Sequence, residues 1–489
     1  MAYTEAGIWV PDTVSLAQML TVEDVLRVPA GTEMTIDLLG ELITKHKELV
    51  KFRLKPQQDA YEKNVYPFLF AAKKPSYKPD NRIPINFAKY LVDTFNGFCT
   101  GIPIKVTSDN EKVSEYLEFL DRANRMDDLN SEISKGADIQ GACHELYYNG
   151  EDGEIGIAKV DRTESFFVYD DSILKRKLFF VRYYLGADKI EHGSWSDDTY
   201  VQHFENRAGY RWTDDPYEHN FEYDPASEFY NNAERRGIFE SELPMINAYG
   251  KALSEKANDV DYFADAYLKI LGPKVEGKDT QNIRDNRIIN FTGSPDGTLP
   301  QVEFLQKPNA DTTQENLINR LERLIFHISM IANIDDENFG SASGIALRYR
   351  LQSMHNLFLV KSRKFTASIQ NRYRVIFSNP IAQTHGVLPD DWMSVNVKFT
   401  PNLPADMLSE VQAAQQADGM LSHKSRLGML SFIDDVQAEI DRLTEEQEAM
   451  TAQQAKSIYS DVDSMIKALE AEGYIVTRNS DGEEDTGEE

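Results

Sequence analysis

The chain is poor in cysteine, in catalytic signatures and in long apolar runs. Its two cysteines, Cys99 and Cys143, are too few for a disulfide framework or a zinc ligand set, and they read as free, mostly buried thiols. No uninterrupted apolar run of about 18 residues occurs, so no membrane-spanning helix is expected. The opening MAYTEAGIWVPD has no basic stretch followed by an apolar one, so no secretory leader is expected either. H-E-x-x-H, G-x-S-x-G and C-x-x-C are all missing. The segment GPKVEGKD, Gly272 to Asp279, imitates a phosphate-binding loop. Asp279, however, stands where the Mg²⁺ ligand must be Ser or Thr, and a helix is expected before it instead of a strand. His144, between Cys143 and Glu145, is the nearest thing to a cluster and reads as a helix-borne core or surface histidine. The acids at Asp335, Asp336 and Glu337 lie on one short loop, without the ligands from separate elements that a two-metal site draws together. These absences weigh against catalysis and against a resident cofactor or metal.

What is present is acid and apolar mass. The 489 residues carry 80 Asp+Glu against 52 Lys+Arg, a net charge of −28, with 41% hydrophobic residues. That is enough apolar material for real cores, and the length predicts about three or four units. A chain so acidic is a poor sequence-independent DNA clamp, and it repels anionic membranes and its own copies unless cations intervene.

Hydrophobic periodicity places a helix over 36–54 and another over about 83–100, with IPIKV after it as a strand. Residues 111–149 read as helical, 155–212 as alternating strands, and 213–235 as a long acidic and aromatic loop. A helix over 251–271 ends at Gly272-Pro273. A turn-rich stretch follows, with RIINF and VEFLQK as short strands. A second helix opens at Thr312 with Glu315 three residues on, and its expected apolar stripe is Leu317, Leu321, Leu324, Ile328 and Ile331. A break at 333–343 precedes a long helix to about Phe377 striped by Leu347, Leu351, Met354, Phe358, Phe365, Ile369 and Ile376. SVNVKF reads as a strand, 405–471 as a helical domain, and the acidic end as disordered.

One charge anomaly stands out. No acid occurs between Glu337 and Asp390, while Arg348, Arg350, Lys361, Arg363, Lys364, Arg372 and Arg374 all fall there. Such segregation fits contact with a neighbouring copy's acidic surface, contact with phosphates, or a helix face whose acids come from elsewhere in the fold.

Three segments together resemble one family, the portal proteins of tailed bacteriophages, of the type found in siphophages of Gram-positive hosts. They are NRIPINFAKYLVDTFNGFCTGIPIKV (Asn81 to Val106), the stretch from Phe304 to Leu351 with Ser343, Gly344, Ala346, Leu347 and Leu351, and the end from VKFTPNLPADMLSEVQ to FIDDVQAEIDRLTEEQE. The resemblance spans about residues 40–450, and it departs from the family near residue 65, where the chain reads YEKNVYPFLF. It implies an α+β, mainly helical portal fold assembling as a ring of about a dozen subunits around a central channel. It divides the chain into a wing (1–250 and 344–403), stem helices (251–271 and 311–332), a clip (272–310), a tunnel loop (333–343), a crown (404–471) and an acidic tail (472–489).

The function implied is a conduit at the capsid vertex, virion-borne after assembly in the host cytoplasm, through which double-stranded DNA is packaged and ejected. The partners implied are the large terminase, a head-completion or adaptor protein, and the major capsid and scaffolding proteins, with no membrane partner. No cofactor is implied, although divalent cations would assist assembly of so acidic a subunit. The channel loop is expected at Asp335, Asp336, Glu337, Asn338, Phe339, Gly340, Ser341, Ala342 and Ser343, and clip contacts at Lys274, Lys278, Arg284 and Arg287. The alternatives are a packaging-associated nuclease or ATPase, and a structural adaptor without a channel.

Overall fold

The computed structural model describes residues 2–3, 9–10, 24–76, 78–150, 153–264, 268–271, 301–304, 311–333, 349, 351–403, 407–430, 433 and 436–473. The chain divides into two units, Met1–Asn402 and Leu403–Glu489.

In the first unit, β1 (Leu26–Val28) is followed by α1 (Ile36–Leu49). Thr35 caps α1 by accepting from Leu38 N, and Leu39, Leu42, Ile43, His46 and Leu49 form its buried stripe. The helix runs through a π turn (Val50–Leu54) into α2 (Lys55–Lys63), so the periodicity over 36–54 marks one continuous rod. Then come α3 (Phe87–Thr100), β2 (Lys105–Ser108), α4 (Glu111–Asn124) and α5 (Met126–Gln140).

The strands follow as β3 (Ala142–Asn149), β4 (Ile155–Val160), β5 (Ser165–Asp170), β6 (Lys177–Leu185), β7 (Glu191–Ser196), β8 (Tyr200–Asn206), β9 (Tyr210–Trp212), β10 (Tyr217–Glu218) and β11 (Ala226–Tyr230). They make a seven-stranded sheet, β9-β8-β7-β6-β5-β1 with β10 beside β8, and a three-stranded sheet, β11-β3-β4. The large sheet buries Phe166, Val168, Phe179, Val181 and Trp195 against the stripe of α1. The small sheet shares a second core with α4, α5 and a long later helix.

Two expectations fail here for one reason. Residues 142–149 are a strand, not the end of a helical stretch, and 226–230 is a strand inside the expected loop. Both strands are buried on both faces over most of their length, so neither carries the period-two alternation that reveals a half-exposed strand. β7 falls inside the 155–212 stretch expected as strands. Its Gly193 leaves room for the Phe204 ring, since a Cβ there would meet Phe204 Cζ at 2.3 Å and the Arg182 carbonyl at 2.3 Å.

Then come α6 (Leu243–Ala264), β12 (Leu268–Leu271), β13 (Gln301–Phe304), α7 (Asp311–Ser329), α8 (Gln352–Ser378), α9 (Pro380–Thr384) and β14 (Val395–Lys398). The helix expected over 251–271 is therefore a helix that starts eight residues earlier and stops at Ala264. Residues 268–271 instead pair antiparallel with 301–304, which overlaps the second of the two strand candidates. β14 pairs with β2, which brings the 81–106 segment together with the chain after α8.

The second unit holds α10 (Met407–Gln416), α11 (His423–Leu427) and the 36-residue α12 (Val436–Ala471). Among its described residues none is buried.

Candidate functional site

Two of the resembling segments meet at the helix pair α6/α7: the chain around residues 81–87 lies against α6, and α7 belongs to the second segment. α6 and α7 lie side by side, with Lys256 bridged to Glu315 and Gln314 Nε2 donating to Asp259 Oδ2 at 2.9 Å. Phe326 of α7 meets Phe87 and Tyr90 of α3 edge-on at 5.8 and 5.6 Å.

The NRIPINF segment is clamped along α6. Its chain runs extended, and alternate amides are taken by α6 side chains one turn apart: Asn81 N donates to Asn258 Oδ1 (2.6 Å) and Ile83 N to Ser254 Oγ (2.9 Å). Pro84 has no amide to place. One further turn pair up α6, Asn247 Oδ1 accepts from Phe68 N at 2.9 Å. Asn86 caps α3 by accepting from Lys89 N at 2.9 Å and donates to the Tyr61 carbonyl at 3.1 Å. Arg82 is held by Asp80 at 2.9 Å. The polar groups of the segment thus fasten it to α6 and to the start of α3. Gly250 sits in the same α6 face, where a Cβ would meet the Phe68 ring at 2.6 Å.

α7 carries two apolar faces. Ile318 and Ile325 are buried, while Leu317 and Ile328 of the expected stripe are about half exposed, at 51% and 47%. Leu321 and Leu324 lie between these extremes, and Ile331 is buried. The expected stripe is therefore real in period but is mostly left open in the single chain. Beside it Arg320, Arg323 and His327 border an open groove of about 770 Å³ together with Leu324 and Phe326.

The expected channel loop, Asp335 to Ser343, lies outside the described residues, as do Lys274, Lys278, Arg284, Arg287, Arg348 and Arg350 and the Gly272–Asp279 segment. The rest of the basic helix is placed, and two of its members correct the expectation of intersubunit contact. Lys361 is buried, with Nζ 2.7 Å from Asp138 of α5. Arg372 has no exposed surface: Nε donates to Glu145 Oε2 at 2.9 Å, and Nη2 to Glu145 Oε1 at 2.5 Å and to Asn130 Oδ1 at 2.8 Å. Burial works against the Arg372 charge, but the Glu145 carboxylate outweighs it and holds the guanidinium above its ordinary pKa. Burial pushes Asp138 up, and the Lys361 ammonium opposes it.

The acids missing from α8 are thus supplied by α5 and β3 inside the same chain. A sequence signal existed: Met354, Phe358, Lys361, Phe365, Ile369, Arg372 and Ile376 share one stripe, so both cations occupy core positions. Arg363 is exposed. Lys364 lies 5.5 Å from the Tyr230 ring centre, and Arg374 4.2 Å from that of Tyr223.

A second buried polar cluster joins the two sheets to α1, and no sequence pattern announced it. Arg53 and Arg162 both bind Asp24, and Arg53 Nε also donates to Glu240 at 2.8 Å. Arg235 makes a two-point pair with Glu228 at 2.7 and 2.8 Å. His46 meets Tyr183 Oη at 2.8 Å, and His144 meets Ser165 Oγ at 2.7 Å. His144 is borne on a strand rather than a helix, and burial, aided by nearby arginine charge, pushes both histidines down to about 3. Both cysteines are free and buried. Among the described residues no group of three or more His, Cys, Asp or Glu could hold a metal ion, and no helix is long and apolar enough to cross a membrane.

The profile of the family described as phage portal protein, SPP1 Gp6-like, matches residues 41–453. The chain is 22% identical over 415 residues to the portal protein of Clostridium phage phiCD119, covering 79% of this chain and 89% of that protein. It is likewise 22% identical over 394 residues to the portal protein of Bacillus phage SPP1, covering 76% of each. A solved structure, the neck of an empty GTA particle, overlays 72% of this chain and 88% of its own at 11% identity and a TM-score of 0.37, a likeness too loose to bear on function.

Proposed function

The chain belongs to the phage portal protein family of the SPP1 Gp6-like type, and on that premise we propose that about a dozen copies close into a ring whose channel passes double-stranded DNA. Portal function at the capsid vertex makes it a virion component and an oligomeric connector, in a family that is structural and not enzymatic. The observation that carries the proposal is the profile match across 41–453, which takes in every element from α1 to the first half of α12.

Two features of the fold support assembly. The α7 stripe at Leu317, Leu324 and Ile328 is left open, and the second unit has no buried core among its described residues while Met450, Val462, Met465 and Leu469 of α12 are exposed. Copies packed around an axis would cover both. Arg363 beside the exposed Leu359 and Val360 on α8 would face a neighbour's acidic surface. The segment 272–310 would receive the large terminase during packaging and a head-completion protein afterwards, and 333–343 would line the channel.

Negative-stain imaging with native mass measurement tests the ring. Particles with a central hole, at roughly a dozen times the subunit mass of 55.7 kDa, are expected. Leu324→Glu should shift the protein toward monomer. A parent protein that stays monomeric at every salt concentration, alone and with coexpressed head proteins, refutes it.

A further inference from the structure

One buried acceptor has no donor within the described chain. His144 of β3 is 2% exposed, and its two ring nitrogens can be told apart. Ser165 Oγ donates its single proton to the Asp161 carbonyl at 2.9 Å, so in its 2.7 Å contact with His144 Nδ1 it must accept. Nδ1 therefore carries the ring proton. Burial keeps the ring neutral, which leaves Nε2 a bare acceptor. Among the described residues nothing donates to it. His46 on α1 is the contrast: its Nε2 donates to the Arg162 carbonyl at 3.0 Å and its Nδ1 accepts from Tyr183 Oη at 2.8 Å, so both nitrogens are satisfied.

His144 lines a cavity of about 20 Å³ where the two sheets meet α1, together with His46, Arg162, Tyr169, Glu228 and Arg235. That is room for one water molecule, whose centre needs about 10–15 Å³, and not for a larger ligand. Glu228 stands directly opposite His144 in the β11–β3 pairing, so both side chains leave the same face of the small sheet. On that face the His144 ring meets Phe167 and Phe180 of the large sheet edge-on at 5.1 and 5.7 Å. Glu228 Oε2 accepts from Arg235 Nη2 and from Tyr169 Oη, whereas Oε1 accepts only from Arg235 Nε at 2.7 Å and keeps a free lone pair. A donor is left over as well. Arg162 Nη1 is bonded to the Gln140 carbonyl and Nη2 to Asp24, but Nε has no hydrogen-bond partner among the described residues.

Charge decides the kind of molecule. Arg53, Arg162 and Arg235 are matched by Asp24, Glu228 and Glu240, so these pairs leave no net charge for an ion to neutralise. A cation in the cavity would lie against two guanidinium groups, and an anion against the Glu228 carboxylate and the Nε2 lone pair. A neutral molecule with two donors and an acceptor completes all three leftover groups, and buried polar groups are nearly always completed, by protein or by ordered water.

We propose that this cavity is the binding site of one structural water, which donates to His144 Nε2 and to Glu228 Oε1, accepts from Arg162 Nε, and so fastens the small sheet to the chain that enters β5. The proposal is independent of the ring. Its test is a density map of the full-length protein, crystallographic or from electron cryomicroscopy, at a resolution that shows ordered waters on the surface. A peak within about 2.7–3.2 Å of Nε2 and of a Glu228 oxygen is expected. In His144→Phe the larger ring enters the same space without an acceptor, and the peak should be lost. If surface waters are visible and the parent has no peak there, or if a protein atom lies against Nε2 instead, the proposal is overturned. A peak that persists in His144→Phe overturns the part given to Nε2. Should that variant fail to fold, the parent map decides by itself.

Discussion

Truncating Glu145 should expose how the core depends on one ion pair. Arg372 has 0% exposure and donates at two points to Glu145, while Tyr147 Oη donates to the same carboxylate at 2.9 Å. Arg372 Nη1 already has no hydrogen-bond partner among the described residues. Glu145→Ala would leave the Arg372 charge without its counter-ion in the interior, a cost of about 3–5 kcal/mol. At about 2.1 cal/mol/K per residue, a unit spanning Met1–Asn402 has an unfolding entropy near 0.8 kcal/mol/K, so the melting point should fall by about 5 °C. Glu145→Gln, which keeps an acceptor and loses the charge, should cost about half as much. The double variant Glu145→Met/Arg372→Met should recover most of the loss, because two apolar side chains need no partner. The measurements are urea midpoints and hydrogen exchange along α8. A Glu145→Ala protein within about 1 kcal/mol of the parent, or a double variant worse than the single one, would refute the argument.

Other expectations are independent of that pair. Replacing His144 with Gln should flatten the acid side of the stability curve. Its folded pKa of about 3 lies below the ordinary 6.5, so the unfolded chain takes up the proton first; the stability is complete above pH 6.5 and is lost as pH falls toward 3. Between pH 7 and pH 5 the parent should lose about 2 kcal/mol more than the variant, read from urea melts at each pH. An equal loss in both would show that His144 is not buried neutral. Gly250→Ala forces a Cβ into the Phe68 ring and should destabilise the α6 clamp by about 1–3 kcal/mol, with faster proteolysis of the 67–86 segment, and Phe68→Leu should relieve it.

Much of the helical architecture was legible in the residues. The stripes of α1 and α8, the start of α7 and the strands β4, β5, β6 and β8 follow from local periodicity, which burial of one face imposes on any chain. The family too was legible in strings of residues, although their contacts were not: Asn86 caps its own helix through Lys89 N and Arg82 pairs with nearby Asp80, but Asn81 is held by Asn258 of the distant α6. The residues of β3, by contrast, read as helix, since a segment covered on both faces carries no alternation.

Charge was where sequence reasoning stopped. An acid-free helix in a net −28 chain is compatible with a neighbour's surface, with phosphates or with acids from elsewhere in the fold, and Lys361 and Arg372 turn inward to Asp138 and Glu145. Those partners are more than 220 positions away, and no pattern along the chain links them. Periodicity is a property of a single element and is written in its own residues. Which charges are paired and which apolar faces stay open depends on what other elements bring to the same point in space, and only the tertiary structure decides that.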